Sequence, residues 1–301
     1  MLAVRVHAYG GPEQLTLEET PIPIPADDEV LVRICAAGVG PWDALVRTGH
    51  SGVPQPLPIT PGSDIAGVVE TTGEAIFGVT NNNFAGGYAQ YAVATRSSIA
   101  RKPASLSFIE AASAPVVAVT AWQLLFDHAK VSAGETVLVQ GAAGNVGAYA
   151  VQLAHWAGAR VIAVAGSADA DYVRGLGANE MIDYRTQRFE EHVSGVDTVI
   201  DTVGGETQAR SFGVLKREGM LASSVSAPSG ELAAQYGVRT AYFIVSVPTA
   251  QLERIAQLFD AGVLKTDVGV VLRLADARKA HEMLAGIVPH PRGKIVLDNT
   301  L

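Results

Sequence analysis

Three glycines with a spacing suited to phosphate binding lie between two apolar segments near the middle of the chain. Gly141, Gly144 and Gly147 follow the β-branched segment 136–140, and a second apolar segment occupies residues 161–165. The alanines and leucine between them recur at the i, i+3, i+4, i+7 spacing of a helix. In a strand–turn–helix–strand unit, such glycines make the turn and let the backbone approach a pyrophosphate at the helix N-terminus. The pattern therefore predicts a dinucleotide site.

The residues after the second predicted strand bear on which dinucleotide binds. An NAD site usually carries an acidic residue there, which binds the ribose 2′-hydroxyl group. Residues 166–168 are instead Gly-Ser-Ala, which leaves room for the 2′-phosphate of NADPH, although Asp169 and Asp171 follow closely. No lysine lies between Lys130 and Lys216. NADPH is favoured over NADH, and the candidate cations for its phosphate are Arg174, Arg185 and Arg292.

Composition limits the classes of protein that the chain can represent. Its 301 residues suggest two domains, and its net charge of −8 without a basic patch argues against nucleic acid or an anionic membrane as partner. The one cysteine, Cys35, lies in the apolar segment 30–37, which predicts a buried structural thiol. The N-terminal residues lack the apolar core of a signal peptide, and no segment is long enough to span a bilayer. A soluble cytoplasmic protein is expected.

Two secondary-structure patterns follow one another along the chain. Residues 1 to about 110 hold short strand patterns separated by glycine and proline turns, including a hairpin of residues 65–69 and 75–79 and a helix over 41–48. From residue 108 onward, helical and strand patterns alternate, which predicts a doubly wound parallel sheet. The elements predicted there are helices over 111–126, 252–259 and 277–284 and strands over 181–183, 196–201, 220–225, 242–247 and 293–297.

The order of these motifs resembles a known family over nearly the whole chain. YGGPEQL, PGSDIAGVV, GGYAQYAV, GAAGNVG, DTVGG and RGKIVL are similar to motifs of the zinc-independent quinone oxidoreductase branch of the medium-chain dehydrogenase/reductase superfamily. The resemblance implies an α/β fold with a GroES-like, β-barrel-type catalytic domain over residues 1–112 and 265–301. A Rossmann domain, a doubly wound parallel sheet that binds the cofactor, is expected over 113–264. A homodimer formed through edge strands of the cofactor domains is also implied.

The resemblance assigns cofactor roles residue by residue. The residues it implies near the nicotinamide are Thr120, Val203 and Phe243; those at the pyrophosphate are Gly141, Gly144, Asn145, Val146 and Gly147; those at the 2′-phosphate and adenosine are Ser167, Tyr184 and Arg292. Two of these assignments have equally good alternatives. Tyr184 fits an ordinary tyrosine at a strand end, and Arg292 fits a solvated cation in a turn.

The resemblance also indicates which metal ligands are missing. Zinc-dependent relatives carry a cysteine, a Gly-His-Glu sequence and a lobe of four cysteines, whereas this chain has Gly40 and Ser63-Asp64 at the first two positions and no such lobe. Catalytic zinc needs about three N, O or S protein ligands. No metal is therefore expected, and loop or structural roles are favoured for His50 and Asp64.

The expected substrate cleft contains the other departures from the family. Its expected residues are Gly40, Trp42, Asp43 and His50. Gly40 replaces an asparagine found in many relatives, and Asp169 and Asp171 stand where many have a lysine. Only ETTGEAI joins the two hairpin strands, where the family normally has over ten more residues. No motif identifies a general acid; Asp43 and His50 are weak candidates, with loop roles favoured for both.

The resemblance implies hydride transfer from NADPH to a quinone or a related activated carbonyl, without zinc. Small-molecule quinones or enones are the expected substrates. One alternative is an enoyl or enone reductase of the same superfamily, which shares every cofactor motif. Another is a protein that binds NADPH as a sensor or structural component without turnover. Gly40 and the short hairpin motivate this last interpretation.

Overall fold

The computed structural model describes residues 1–52 and 55–301, which divide into two compact units. The first unit comprises Met1–Val116 and Ser246–Leu301, and the second comprises Val117–Val245. The cofactor domain predicted from the sequence runs to residue 264. The helix Thr249–Asp260 nevertheless lies in the first unit, since it packs against the strand Ile99–Arg101.

The strands and helices are numbered in chain order. The strands are β1 (Leu2–Val6), β2 (Leu15–Glu19), β3 (Glu29–Val39), β4 (Asp64–Val69), β5 (Ala75–Val79), β6 (Tyr91–Thr95), β7 (Ile99–Arg101), β8 (Thr136–Gln140), β9 (Arg160–Ala165), β10 (Glu180–Asp183), β11 (Val196–Asp201), β12 (Leu215–Ser223), β13 (Arg239–Tyr242), β14 (Val268–Arg273) and β15 (Lys294–Asp298). The helices are α1 (Pro41–Thr48), α2 (Phe108–Ala112), α3 (Pro115–Trp122), α4 (Asn145–Trp156), α5 (Ala170–Gly175), α6 (Gly205–Ser211), α7 (Gly230–Tyr236), α8 (Thr249–Asp260) and α9 (Ala277–Leu284). Within the described residues, no helix is long and apolar enough to cross a membrane.

The second unit is built on a six-stranded sheet in the order β10-β9-β8-β11-β12-β13. All neighbouring strands are parallel. The chain therefore winds outward in one direction from β8 and in the other from β11, which confirms the predicted doubly wound sheet. Dinucleotides bind where the winding direction changes, beyond the carboxyl ends of these two strands.

Two predicted elements of the second half differ from the structure. The strand predicted over 242–247 is wrong beyond its first residue, since β13 ends at Tyr242, which pairs with Ser223 at the end of β12. The helix predicted over 111–126 is divided: Ser107 caps α2 by accepting a hydrogen bond from the Glu110 N–H, and α3 begins at Pro115. A wider helical turn, Gln123–His128, follows α3.

The first unit holds a seven-stranded sheet in the order β14-β15-β3-β4-β5-β7, with β6 also pairing with β3. Only β14 and β15 run parallel; the other pairs are antiparallel. The predicted short hairpin is confirmed, because β4 pairs with β5 and the Val69 N–H donates to the Glu74 carbonyl at 3.0 Å. Cys35 is buried in β3, as predicted.

An ion pair lies inside the first unit. The Lys294 ammonium on β15 is 3.0 Å from the Asp64 carboxylate on β4, and the two side chains are 2% and 0% exposed. The Val116 N–H donates to the other carboxylate oxygen at 2.9 Å. Burial raises the pKa of Asp64, while Lys294 and the Val116 N–H act in the opposite direction. Each charge is therefore tolerated in the interior only because the other is present.

We expect Lys294→Met to lower the free energy of unfolding by about 3–5 kcal/mol, because it leaves the Asp64 carboxylate buried without its cation. The double variant Asp64→Asn/Lys294→Met removes both charges and keeps an acceptor for the Val116 N–H, so it should recover much of the loss. Urea unfolding followed by circular dichroism measures both. A double variant less stable than Lys294→Met would contradict this account.

Candidate functional site

The turn after β8 has the geometry that a close backbone approach requires. Gly141 has a φ of +69°, in the left-handed region, and a Cβ there would meet the Thr202 hydroxyl at 2.5 Å. A Cβ on Gly147 would lie 2.1 Å from the Gly141 carbonyl oxygen. A side chain is therefore excluded at Gly141 by the backbone conformation and by this contact. At Gly147 it is excluded by the packing of α4 against the turn.

The N-terminus of α4 is open toward this turn. Its N-cap residue, Gly144, makes no side-chain cap, and Gly144 and Asn145 are exposed. The first N–H groups of a helix have no acceptor within the helix and carry its positive dipole end. The predicted residues Asn145, Val146 and Gly147 provide these groups. The arrangement fits a pyrophosphate, which accepts hydrogen bonds from backbone N–H groups.

The turn after β11 is fixed next to the glycine turn. The buried Asp201 carboxylate accepts hydrogen bonds from the Val203 and Gly204 N–H groups at 3.0 and 2.9 Å. It also accepts from Gln208 and Ser223 at 2.9 and 2.8 Å. These hydrogen bonds fix the turn in a conformation in which Val203 is 49% exposed.

The two turns meet at the switch point of the sheet. A Cβ on Gly141 would lie 3.0 Å from a Val203 methyl group, so the predicted nicotinamide residue adjoins the predicted phosphate turn. No sequence motif indicated a role for Asp201. The feature that could have indicated this role is the position of the carboxylate at a strand end, shortly before two glycines.

The other residues assigned to the nicotinamide end lie elsewhere in the second unit. Thr120 is buried in α3. Phe243 directly follows β13, and its ring stacks on the His128 ring with centroids 4.2 Å apart. No sequence signal pointed to this histidine. Their cofactor contacts stay a prediction.

The predicted adenosine residues follow two neighbouring strands. Ser167 is exposed just after β9, and Tyr184, 58% exposed, directly follows β10. Because these strands are parallel and pair Asp183 with Ala165, the two residues lie at the same edge of the sheet. Arg292 lies instead in the first unit, where its guanidinium is 2.9 Å from the Asp267 carboxylate.

In the first unit, packing explains why position 40 is glycine. A Cβ on Gly40 would lie 2.3 Å from the Trp42 ring. That ring is held by a 3.0 Å hydrogen bond from its N–H to the Ser63 hydroxyl, and the Lys294 ammonium lies 4.3 Å from its centre. An asparagine at position 40 is therefore incompatible with this position of the tryptophan.

Asp43 is fully buried at the N-terminus of α1. One carboxylate oxygen accepts hydrogen bonds from the Gly40 N–H at 2.8 Å and from the Tyr88 hydroxyl at 2.9 Å. The other oxygen is buried with no partner among the described residues. Burial raises the pKa of Asp43 to about 7, against the opposing effects of the Gly40 N–H and Lys294. The carboxylate holds the start of α1.

A chain of hydrogen bonds leads away from Asp43. The Tyr88 hydroxyl lies 3.3 Å from Nε2 of His281, and Nδ1 of His281 accepts from Arg47 at 3.1 Å. Burial, together with Arg47, lowers the pKa of His281 to about 3, so the imidazole is neutral at neutral pH. His50 is not part of this chain: it is exposed, with its ring 3.1 Å from the Thr48 hydroxyl.

The positions that correspond to zinc ligands in the resemblance form no donor set. Within residues 1–52 and 55–301, no group of three or more His, Cys, Asp or Glu side chains is placed to hold a metal ion. The Asp64 carboxylate faces the Lys294 ammonium instead.

Comparisons with known proteins identify relatives over nearly the whole chain. Residues 26–104 match the family model "Alcohol dehydrogenase GroES-like domain", residues 176–297 match "Zinc-binding dehydrogenase", and residues 107–235 match "Glutamate/Leucine/Phenylalanine/Valine dehydrogenase". The quinone oxidoreductase of Sus scrofa is 31% identical over 97% of this chain and 95% of its own length.

Solved structures show the same relationship. The quinone oxidoreductase from Coxiella burnetii is 31% identical with a TM-score of 0.91, covering 99% of each chain. A structure described as an NAD-dependent alcohol dehydrogenase is 30% identical with a TM-score of 0.90, again covering 99% of each chain. The chain belongs to the medium-chain dehydrogenase/reductase superfamily, in its quinone oxidoreductase branch. It is an oxidoreductase of a nicotinamide-dependent family, and the predicted fold class is confirmed.

The glycine turn yields a direct test. Gly147→Ala should weaken nucleotide binding at least about tenfold, because its Cβ forces α4 away from the turn that would hold the pyrophosphate. Gly175→Ala is the matched control, since a Cβ there has no atom within 4 Å. Titration of nicotinamide fluorescence measures both dissociation constants. Equal effects of the two substitutions would contradict the assignment.

Asp43 and His281 give stability opposite dependences on pH. Folding raises the Asp43 pKa from 3.8 to about 7, so its contribution decreases as pH rises through that range. Folding lowers the His281 pKa from 6.5 to about 3, so stability is lost as pH falls through that range.

We expect Asp43→Asn to isolate the first effect. The free energy of unfolding of the variant minus that of the wild type should increase by roughly 3 kcal/mol between pH 4 and pH 7, because the His281 contribution is common to both proteins. Denaturant unfolding at several pH values measures this difference. A difference that does not change with pH would show that Asp43 is ionised in the folded protein throughout.

Proposed function

We propose that the protein is an NADPH-dependent, zinc-free reductase that transfers a hydride to a quinone or a related activated carbonyl. The observation that carries the proposal is the packing of Gly147 against the Gly141 carbonyl at the sheet switch point, which is so close that it leaves no room for a Cβ. The N-terminus of α4 is thereby left open to a pyrophosphate, and Val203 lies beside it. Membership of the quinone oxidoreductase branch supports the choice of acceptor.

In this proposal, the second unit binds and orients the cofactor. The N–H groups at the start of α4 hold the pyrophosphate, and Val203, fixed by Asp201, contacts the nicotinamide ring. When bound, NADPH supplies the hydride, so the protein contributes position and electrostatics. Thr120 and Phe243 complete the nicotinamide end, and Ser167 and Tyr184 the adenosine end.

The proposal that zinc is not needed rests on the Asp64 carboxylate. Its charge is already balanced by the Lys294 ammonium at 3.0 Å, and its second oxygen accepts from the Val116 N–H. A metal ion there would have to displace a buried lysine, and the neighbouring Ser63 and Gly40 positions offer no nitrogen or sulfur side chain.

The first unit is proposed to bind the substrate near Gly40, Trp42 and His50. Asp43 is assigned a positioning role, since it is fully buried and both fixes the α1 N-terminus and receives the Tyr88 hydroxyl hydrogen bond. The proton for the product oxygen then comes from water. His50, which is exposed, is the alternative donor.

Two alternative functions and a homodimer are proposed from the same features. An enone reductase is the second candidate, supported by the same cofactor turn. A sensor without turnover is the third, and Gly40 and the short β4–β5 hairpin are its motivation. A homodimer is proposed through edge strands of the second unit's sheet, which are β10 and β13; β13 is largely exposed.

The test is a parallel fluorescence titration with NADPH and NADH, followed by addition of 1,4-benzoquinone and, separately, of a bulky enone. We expect tighter binding of NADPH and rapid oxidation by the quinone, unchanged after dialysis against EDTA. Faster oxidation by the enone would favour the second candidate. Binding without oxidation by either acceptor would favour the sensor. Tighter NADH binding would overturn the cofactor choice, and a monomeric mass by light scattering would exclude the dimer.

A further inference from the structure

A groove of about 240 Å³ lies in the first unit beside the turn that joins β4 to β5. It is at the other end of β4 from the proposed substrate residues. Val69, which lines the groove, is the last residue of β4, whereas the first residue, Asp64, bonds to the ammonium group that lies against the Trp42 ring. Between these two residues the strand extends over roughly 17 Å. The groove is therefore separate from the proposed substrate site.

The floor of the groove is apolar. It is lined by four side chains that belong to the hydrophobic core of the first unit and are at most 8% exposed: Val30, Val69, Ile76 and Ile99. They come from four different strands, β3, β4, β5 and β7. The groove is thus the place where the core enclosed by these strands reaches the surface. Small-molecule sites are frequent at such mouths of barrel-like sheets.

The short β4–β5 turn leaves this end of the core without a covering segment. The Gly73 N–H donates to the Val69 carbonyl at 2.8 Å, and the Val69 N–H donates to the Glu74 carbonyl at 3.0 Å, so the chain reverses directly at the strand ends. The resemblance to quinone oxidoreductases implies over ten more residues here, and this chain lacks them. Thr72 and Glu74 therefore stand at the rim of the groove.

Two guanidinium groups without partners also stand at the rim. Arg96 and Arg101 line the groove and are exposed. Among residues 1–52 and 55–301, no acceptor lies within hydrogen-bond or salt-bridge distance of either guanidinium. Arginine is always protonated in proteins, and the exposed Glu74 is the one carboxylate among the described lining residues. Two positive charges and one negative charge leave the rim with an excess of one positive charge.

We propose that this groove binds a short-chain monocarboxylate, whose head group is held by Arg96 and Arg101 and whose hydrocarbon chain lies on the apolar floor. A guanidinium binds a carboxylate with two parallel hydrogen bonds. The single excess charge matches a monoanion rather than a dianionic phosphate ester. The volume is below the roughly 300–1,000 Å³ of sites for drug-sized ligands, so the chain must be short. This binding site goes beyond the proposed reductase function and does not depend on it.

Titration with hexanoate, followed by NMR of the isoleucine and valine methyl groups, tests the site directly. We expect the Ile76 and Ile99 signals to shift with a dissociation constant on the order of a millimolar, because the ligand has few atoms. Hexan-1-ol keeps the chain without the charge, and acetate keeps the charge without the chain. Each should bind at least about tenfold more weakly than hexanoate.

Substitutions at the rim test the charges. Arg96→Ala and Arg101→Ala should each weaken hexanoate binding about tenfold or more, the size of a lost charge-assisted pair. Glu74→Gln removes the repelling charge and should strengthen binding several-fold. The matched control is Arg217→Ala, which removes an equally exposed arginine from β12 in the second unit and should leave binding unchanged. All four side chains are exposed, so circular dichroism should show unchanged thermal unfolding.

Several results would overturn the proposal. No methyl shift with hexanoate up to tens of millimolar would show that the groove is not a binding site. Equal binding of hexanoate and hexan-1-ol would remove the role of the arginines, and equal binding of acetate would remove that of the apolar floor. Tighter binding of hexyl phosphate than of hexanoate would overturn the choice of a monocarboxylate. No measurement uses a nicotinamide, so each result is independent of the proposed reductase function.

Discussion

The buried pair of Asp64 and Lys294 is the interaction on which the first unit depends. It joins β4, from the N-terminal part of the chain, to β15, near its other end, and it also receives the N–H group of Val116 as α3 begins. Two charges withdrawn from water require each other, because removing one leaves the other unsolvated. The pair also places an ammonium group against the Trp42 ring, which in turn requires glycine at position 40.

Much of the fold could be predicted from the sequence, because strand and helix periodicities and turn residues are local signals. The β8–α4–β9 unit and the β4–β5 hairpin agree with their predicted positions. The failures have tertiary causes. Continuous apolar residues over 111–126 do not reveal the break between α2 and α3, and the end of β13 depends on its neighbour β12. No pattern distinguished β14 at all.

The same distinction between local signals and tertiary causes applies to the residues of the candidate site. Gly141 and Gly147 could be identified from spacing, because their role is in the backbone of one continuous segment. The role of Asp201 could not, since its carboxylate accepts a hydrogen bond from Ser223 on a neighbouring strand. The buried Asp43 likewise accepts a hydrogen bond from Tyr88, which lies far away in the sequence. Sequence alone shows a carboxylate, and only packing shows what it holds.

The discontinuity of the first unit has a consequence for the order in which the protein is made. The second unit is complete once Val245 has left the ribosome, whereas β3 must wait for β15, with which it pairs. During synthesis β3 therefore lacks one of its neighbours, and Asp64 lacks its cation. Strands that wait in this way expose unpaired edges and apolar faces. The first unit can therefore close only after its C-terminal strands have been synthesised.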